Sequence, residues 1–583
     1  MATSIVVHQK IADLLLSGDD KAKFLLGYLS NDEINVVACS VLPDLKKSEV
    51  TIKQIRCLLP GGVDIVGIAA CGSNCLNYEA YWGYIGDSSA YLNLVKVDGK
   101  MNIQDAMSVD KERTIKDLTL KITSDILLSK CLLARIKCTV PLCFTIDTGG
   151  KTVNHLQSEI NRLIEDLISE RTMFHLVSTN VLLGTTTCNG VTETARCDTL
   201  TSLCDNDEYN SKSKKKMQET LKCVKFDVYT DLSMNNSNEN CSSCSPVINY
   251  STETTKLVKF NLPIDTVAIF PDGSVVADMA EVMCDSLKRQ LKAMEGNIIK
   301  YNKDDKFYVP VPHHFQPLQL STLYTVLQPY TITEDELETE RKELHQLLCL
   351  PVDRPLFRSG NQYRFPDDDY NSGYLVNVHQ YCPKSKVSDG TQYLVQGLYT
   401  YHHYMQDRFD DNKWGCAYRS LQTLASWFKL QSYVTRDVPS HKEIQQTLVD
   451  IGDKDPKFVG SKKWIGSMEV SFVLDSLYGV TSKILNVSSG ADLSSKGRDL
   501  AAHFTNQGTP IMIGGGVLAH TILGIDYNEV TGDINFLILD PHYTGAEDLK
   551  TIIDKGWCGW KDSSFWDKNA HYNLCMPQRP IVI

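Results

Sequence analysis

The sequence predicts an α+β protein of more than one domain, and three observations carry that prediction. At 583 residues the chain exceeds what one hydrophobic core supports, so two or three domains are expected. Short β-branched runs such as INVVACSVL and VDIVGIAACG read as strands. Between them lie stretches such as VNHLQSEINRLIEDLISERT, where Ile160, Leu163, Ile164 and Leu167 recur at helical spacing.

Composition narrows the functional classes. A net charge of -12 lacks the basic footprint that non-specific nucleic-acid binding needs. The N-terminus MATSIVVHQKIADLLLSGDD has no basic flank, and Lys10 and Asp13 interrupt its apolar residues, so it does not read as a signal peptide. The most apolar helix-like run, DILLSKCLLARIKC, is broken by Lys130, Arg135 and Lys137, so no direct membrane span is expected. The 19 cysteines show no framework spacing, which predicts free thiols in a reducing, cytosolic compartment.

In chain order, residues 1–300 read as an α+β domain, with further β alternation in CTVPLCFTI. From about 205 to 255 the polar, charged segments DNDEYNSKSKKKMQET and MNNSNENCSSCS predict a mobile insertion. Its Cys241 and Cys244 form a Cys-x-x-Cys pair with no second pair or histidines nearby, so flexible loop is the reading rather than a zinc site. Residues 301–391 read as a connecting helix and linker. Thr333 and Glu336 make a capping box ahead of LETERKELHQLLCL, and Pro351 stops the helix. Residues 392–583 alternate helices and strands.

That last region holds the chemistry. In DNKWGCAYRSLQ, Cys416 precedes Leu421, Leu424, Ala425 and Phe428, whose spacing starts a core-packed helix at or just after the cysteine. A thiol there faces unpaired N–H groups and the positive end of the helix dipole, both of which favour thiolate. Gly415 leaves room for a substrate backbone. A buried structural cysteine explains the same residues. A nucleophile also needs a base with an orienter. The apolar runs 519–525 and 534–539 flank DYNEVTGD and predict a β-hairpin. Its second strand runs into Asp540-Pro541-His542, where positions i and i+2 share a face. His520 competes for the base role but lies within an apolar strand, where a hydrogen-bonded core histidine is the commoner outcome. Tyr404 in YHHYMQDRF is a candidate oxyanion donor beside the Cys416 N–H, or a core tyrosine. Trp414 is a wall for a narrow groove, or core packing.

The segments YHHYMQDRFDDNKWGCAYRSLQTLASWF, GTPIMIGGGVLAHTILG and LDPHYTGAEDL…KGWCGWK together resemble the cysteine proteases specific for the ubiquitin-fold modifier, of the long type. Weaker echoes run through ERKELHQLL and FPDDDYNSGY. The resemblance implies a papain-like domain at 392–583 with Cys416 as nucleophile, His542 as base, Asp540 as its orienter and Tyr404 stabilising the oxyanion. It implies maturation of the modifier precursor after its C-terminal glycine and removal of the modifier from lysines, with no cofactor. Lys413 departs from the glycine that family members commonly carry before WGC. The N-terminal domain is expected to be MPN-like, and VDIVGIAACGSNC lacks the histidines of the zinc-dependent members, so a metal-free recognition role follows. An endoplasmic-reticulum membrane adaptor is a further implied partner, placing the chain at the cytosolic face of that membrane. Two other readings fit parts of the pattern. Autophagy-type modifier proteases share WGC and DPH, and a binding scaffold could carry a relic catalytic half. The longer flanking matches and the complete set of site residues favour the first reading.

Overall fold

The structure, a computed structural model, describes residues 2–16, 22–43, 48–71, 81–82, 84, 91–97, 103–124, 127–147, 152–204, 222–230, 255–302, 307–365, 368 and 373–583. Two compact units emerge. One comprises residues 1–215, 219–352 and 362–368, the other 216–218, 353–361 and 369–583. Among the described residues no helix is long and apolar enough to cross a membrane.

The first unit contains two β-systems. Strands β1 (Ser4–His8), β2 (Lys23–Ser30), β3 (Glu33–Val41), β4 (Asp64–Cys71), β5 (Tyr91–Val97), β6 (Ile103–Asp110) and β7 (Ile115–Thr123) close into a barrel in the order β1-β3-β2-β4-β5-β6-β7. The second system is a sheet of β8 (Cys131–Asp147), β9 (Thr172–Leu176), β10 (Leu182–Gly184), β11 (Cys188–Asn189), β12 (Lys222–Thr230) and β13 (Thr255–Pro271). Its spine is β8 against β13, antiparallel over the full length of both. The helix expected from the 153–172 periodicity runs Thr152–Leu167, and Ile160 and Ile164 are buried in the core under this sheet.

Most of the polar insertion, with Cys241 and Cys244, lies outside the described residues. Within it, KCVKFDVYT forms β12, which pairs with β8 and β9. Its buried Val224 and Phe226 alternate with polar residues, a period-two signal that the charged flanks obscured. The reciprocal bonds of Thr333 and Glu336 form, with Glu336 accepting from the Thr333 backbone at 2.9 Å and Thr333 Oγ1 from Glu336 N at 3.4 Å, but they close a turn ahead of the helix, whose N-cap is Leu337 without a side-chain cap. The regular α-helix then covers Glu338–Leu347.

One buried polar cluster braces this unit. Arg135, 3% exposed, donates to Asp265 at 2.6 Å and to Asp368 at 2.8 Å, and its guanidinium lies 4.0 Å from the centre of the Phe365 ring. His314, in the two-stranded pair β14 (Pro310–Phe315) and β15 (Tyr324–Pro329), approaches Asp265 at 3.2 Å.

The second unit is a seven-stranded antiparallel sheet. In order it runs β17 (Ser482–Val487), β22 (Tyr572–Pro577), β18 (Ile511–Gly515), β19 (Leu518–Tyr527), β20 (Ile534–Leu539) and β21 (Cys558–Asp562), with β16 (Thr391–Leu394) on β19. The expected hairpin is β19–β20. Along β20, Ile534, Phe536 and Ile538 enter one core, and Leu537 and Leu539 enter the core on the other face. The second core surrounds the helix Cys416–Leu430, whose residues 416–428 are all buried. That helix is therefore the centre of the unit, and its burial begins at its first residue, Cys416.

The Arg135 cluster makes stability depend on pH. Burial pushes the Asp265 carboxyl up, but His314 and Arg135 outweigh it and hold it at about 2, below the ordinary 3.8. A depressed carboxyl contributes stability that is full above the unfolded value and lost as pH falls through the folded one. The shift corresponds to about 2 kcal/mol. Between pH 4 and pH 2 the melting temperature should therefore fall more steeply for the wild type than for Asp265→Asn. Equal slopes would show that the cluster does not discriminate the carboxylate.

Candidate active site

The four predicted site residues come together in the second unit. Cys416 opens the central helix, with Gly415 as N-cap. Asp540, Pro541 and His542 follow directly on β20. This turn is tied down on each side. Asp540 N donates to the Trp557 carbonyl at 2.8 Å and Tyr404 N to the Pro541 carbonyl at 2.9 Å. The Tyr401 hydroxyl donates to the Asp540 carbonyl at 2.5 Å. His542 cannot swing freely, because Asp540 Oδ1 accepts from its backbone N at 3.0 Å and meets its ring Nδ1 at 2.5 Å. The tautomer with hydrogen on Nδ1 is thereby favoured, and Nε2, buried and without a well-formed hydrogen bond, is the nitrogen left for the thiol. The Tyr404 ring stands edge-on to His542, centroids 5.2 Å apart.

Electrostatics follow from this packing. For Cys416, burial alone would raise the thiol pKa. His542, the Tyr404 hydroxyl and the Ala519 backbone N–H together outweigh burial and bring it below the ordinary 9.0. For His542, burial pulls down, but its bonds to Asp540 and Cys416 and the charges of both raise it from 6.5 to about 9. Asp540 is pushed up by burial and brought below its ordinary value chiefly by its bond to His542. The two shifts oppose each other as they must in a thiolate–imidazolium pair: each charged form stabilises the other. Burial raises Tyr404 well above the usual phenol range, and the thiolate raises it further. It therefore stays a donor throughout the working range.

His520 lies in β19, 7% exposed, against Phe565 and Trp566. Burial holds its pKa near 4, so it is neutral, and its ring faces Asp540 and His542 rather than the thiol. Trp414 is 7% exposed and packs on Phe409, Tyr418 and His441; core packing is the outcome for it.

Several supporting residues escaped the sequence reading. Asp411 is fully buried and accepts from Arg419 Nε at 2.6 Å, from Met405 N at 2.8 Å and, with Oδ2, meets His441 Nε2 at 3.1 Å. Its carbonyl accepts from Gly415 N at 2.9 Å. Glu547 Oε1 meets His403 Nε2 at 2.9 Å and accepts from Gln406 Nε2 at 2.5 Å. Charged residues next to a motif look like solvated loop in a sequence. Nothing in spacing alone marks these as buried.

Glycine at 415 has a different cause from the one expected. A Cβ there would lie 2.6 Å from Asp411 Cβ and 2.7 Å from its Oδ2, so the space is already occupied by a pinned carboxylate. Lys413 is also explained. It has φ 71°, as Met405, Asp407 and Arg408 have φ 65°, 60° and 56°, in the left-handed region that costs a non-glycine residue of order 1 kcal/mol or more.

Two outcomes follow. Lys413→Gly should stabilise the chain by about 1 kcal/mol, read as a higher melting temperature; a lower one would mean the lysine makes compensating contacts. Alkylation of Cys416 by iodoacetamide at pH 7 should be roughly tenfold or more faster in the wild type than in His542→Ala, because an unassisted thiol is only a few per cent ionised there. The wild-type thiolate–imidazolium pair should persist until His542 loses its proton near pH 9, above which the thiolate remains without its imidazolium. Equal rates at pH 7 would deny the ion pair.

With this geometry in place, comparison with known proteins identifies the relatives. Residues 390–575 match the model of Peptidase family C78, and residues 157–370 that of "Ubiquitin-fold modifier 1 specific protease 2, N-terminal". The chain is 50% identical to human Ufm1-specific protease 2 over 376 residues, covering 64% of this chain and 79% of the human one. It is 44% identical to the chicken Ufm1-specific protease 2 over 463 residues, covering 78% of this chain and 100% of the relative. The crystal structure of UfSP from C. elegans superposes with a TM-score of 0.71 at 24% identity, covering 100% of both chains, which shows a shared fold. The chain is a cysteine peptidase and belongs to Peptidase family C78, the family of the Ufm1-specific proteases.

Proposed function

We propose that the chain matures the Ufm1 precursor by cleaving after its C-terminal glycine and removes Ufm1 from conjugated lysines. The observation that carries this reading is the Cys416–His542–Asp540 arrangement with Tyr404 beside the thiol, set in a chain about half identical to a Ufm1-specific protease. A thiol-bearing central helix packed on an antiparallel sheet that presents the histidine supports the papain-like assignment.

In this reading the Cys416 thiolate attacks the glycine carbonyl, and the Tyr404 hydroxyl donates to the oxyanion that forms. The imidazolium of His542 then gives its proton to the departing amine, either the C-terminal extension or a lysine, leaving a thioester. Neutral His542 takes a proton from water, hydroxide attacks the thioester and expels the Cys416 thiolate, and the new glycine carboxyl loses its proton to solvent, which restores the thiolate–imidazolium pair. Asp540 keeps the Nδ1–H tautomer throughout.

The same reading takes the N-terminal region as an MPN-like, metal-free recognition domain over about residues 1–300, joined by residues 301–391 to the catalytic part. The sequence of β4, DIVGIAAC, carries no histidine, which supports a binding role over a zinc isopeptidase. Work at the cytosolic face of the endoplasmic reticulum, through a membrane adaptor, completes the proposal.

The test is to incubate the full chain and Cys416→Ser with C-terminally extended Ufm1, ubiquitin and an autophagy-type modifier, and to weigh the products. Trimming of Ufm1 alone at its glycine is expected, with Cys416→Ala and His542→Ala slower by about 10⁴. Trimming of the autophagy-type modifier instead would overturn the substrate assignment. Binding without cleavage would leave a scaffold.

A further inference from the structure

His520, Asp540 and His542 each bring one donor atom to within 4.8 Å of the other two. His520 Nε2 is 3.9 Å from Asp540 Oδ2, and His542 Nδ1 is 2.5 Å from Asp540 Oδ1. The two imidazole centroids are 5.2 Å apart. Adjacent strands hold them, since His520 lies in β19 and Asp540 and His542 follow β20. Phe565 packs edge-on against His520, ring centroids 5.2 Å apart, and the His520 ring is buried, so it has little room to turn. The His542 and Asp540 side chains keep 19% and 21% exposure, which leaves a way in from solvent.

Two imidazoles and one carboxylate are the protein donors of a tetrahedral zinc site with one open position. Metal–ligand bonds of 2.0–2.2 Å put neighbouring donors about 3.4 Å apart in such a site. The two contacts run to different oxygens of Asp540, so the carboxylate would have to turn to offer one oxygen between the two rings, with donor shifts of about an ångström. Magnesium and calcium, which prefer oxygen throughout, fit this set poorly.

We propose that His520, Asp540 and His542 form a binding site for a zinc-class divalent cation, and that its occupancy switches the peptidase off. The switching rests on the cleavage reading above; the binding does not. On binding, the cation takes the Nδ1 lone pair of His542 and the Nδ1 proton leaves to solvent. Asp540 exchanges its hydrogen bond for a metal bond. The ring, drawn off the Asp540 oxygen that orients it, no longer holds Nε2 where the Cys416 thiol and a departing amine need it. Removing the metal restores the pair, with no covalent change to the thiol. Cys416 lies on the Nε2 side of the ring and is not a ligand, which separates this site from simple capture of a metal by the cysteine.

The test is calorimetric titration of zinc chloride into the full chain carrying Cys416→Ala, and into the same chain with His520→Asn or His520→Gln added, each checked for an unchanged melting profile. One zinc per chain is expected in the first and at least tenfold weaker binding in the other two. Cobalt(II) in place of zinc should give visible bands without a thiolate charge-transfer band in the wild type. With extended Ufm1 as substrate, zinc should stop wild-type turnover reversibly on chelation, and the midpoint should rise at least tenfold in His520→Gln relative to its own zinc-free rate. Loss of binding in Cys416→Ala, or binding indifferent to His520, would overturn the site. Binding as expected in a chain that cleaves no modifier would leave the metal site standing and remove the substrate assignment.

Discussion

The ion pair between Asp411 and Arg419 is the constraint on which the catalytic unit depends. Both side chains are fully buried and 2.6 Å apart. Charges at that depth are tolerated only when every lone pair and proton is used, and here they nearly all are. Arg419 spends its remaining donors on Asp407, Gln422 and the Gln406 carbonyl. Asp411 spends its oxygens on Met405 N and His441. Arg419 belongs to the central helix three residues after the thiol, while Met405 follows Tyr404. One buried pair thus fixes the distance between the Cys416 thiol and the Tyr404 hydroxyl beside it.

That anchoring explains how the intervening loop holds so much strain. Met405, Asp407, Arg408 and Lys413 all adopt left-handed backbone conformations, a conformation glycine adopts freely and other residues only under constraint. A loop free to relax would abandon them. This one cannot, because Asp411 grips it from inside, and Glu547 grips His403 and Gln406 from the segment after the DPH turn. The Tyr404 N–H to Pro541 carbonyl bond closes the circuit. Cys416, the Tyr404 hydroxyl and His542 are placed by three links between three segments, so a change in any link displaces the other two.

How much of this was legible follows from what each feature depends on. The Cys416 helix and the β19–β20 hairpin were readable because their apolar residues recur at 3.6 and 2 residues, and burial rewards that periodicity directly. Asp540 and His542 were readable because a strand end followed by proline leaves i and i+2 on one face. Strand β12 was missed because its alternation is short and its flanks are polar. Asp411, Arg419 and Glu547 were missed for a stronger reason: their partners lie in other segments, and no local pattern tells a buried ionic residue from a solvated one. Gly415 was read as room for a substrate backbone, whereas the space a Cβ would need is taken by the Asp411 side chain.

Asp411 and Asp540 show what decides the work an aspartate does. Both are drawn below the ordinary carboxylate range, and in both burial opposes the shift. Asp411 is held down by its bond to His441, which burial draws toward its neutral form, and by Arg419, whose charge is permanent, so the cluster serves as a fixed post. Asp540 faces His542, whose proton is exchangeable within the range where proteins operate, so that pair can stabilise an imidazolium in one step and release its proton in the next. Exposure divides them the same way: none for the Asp411 side chain, 21% for Asp540. A carboxylate sealed against arginine can only hold geometry, whereas one left partly open against histidine can take part in chemistry. The catalytic unit places one of each at the two ends of the same short circuit.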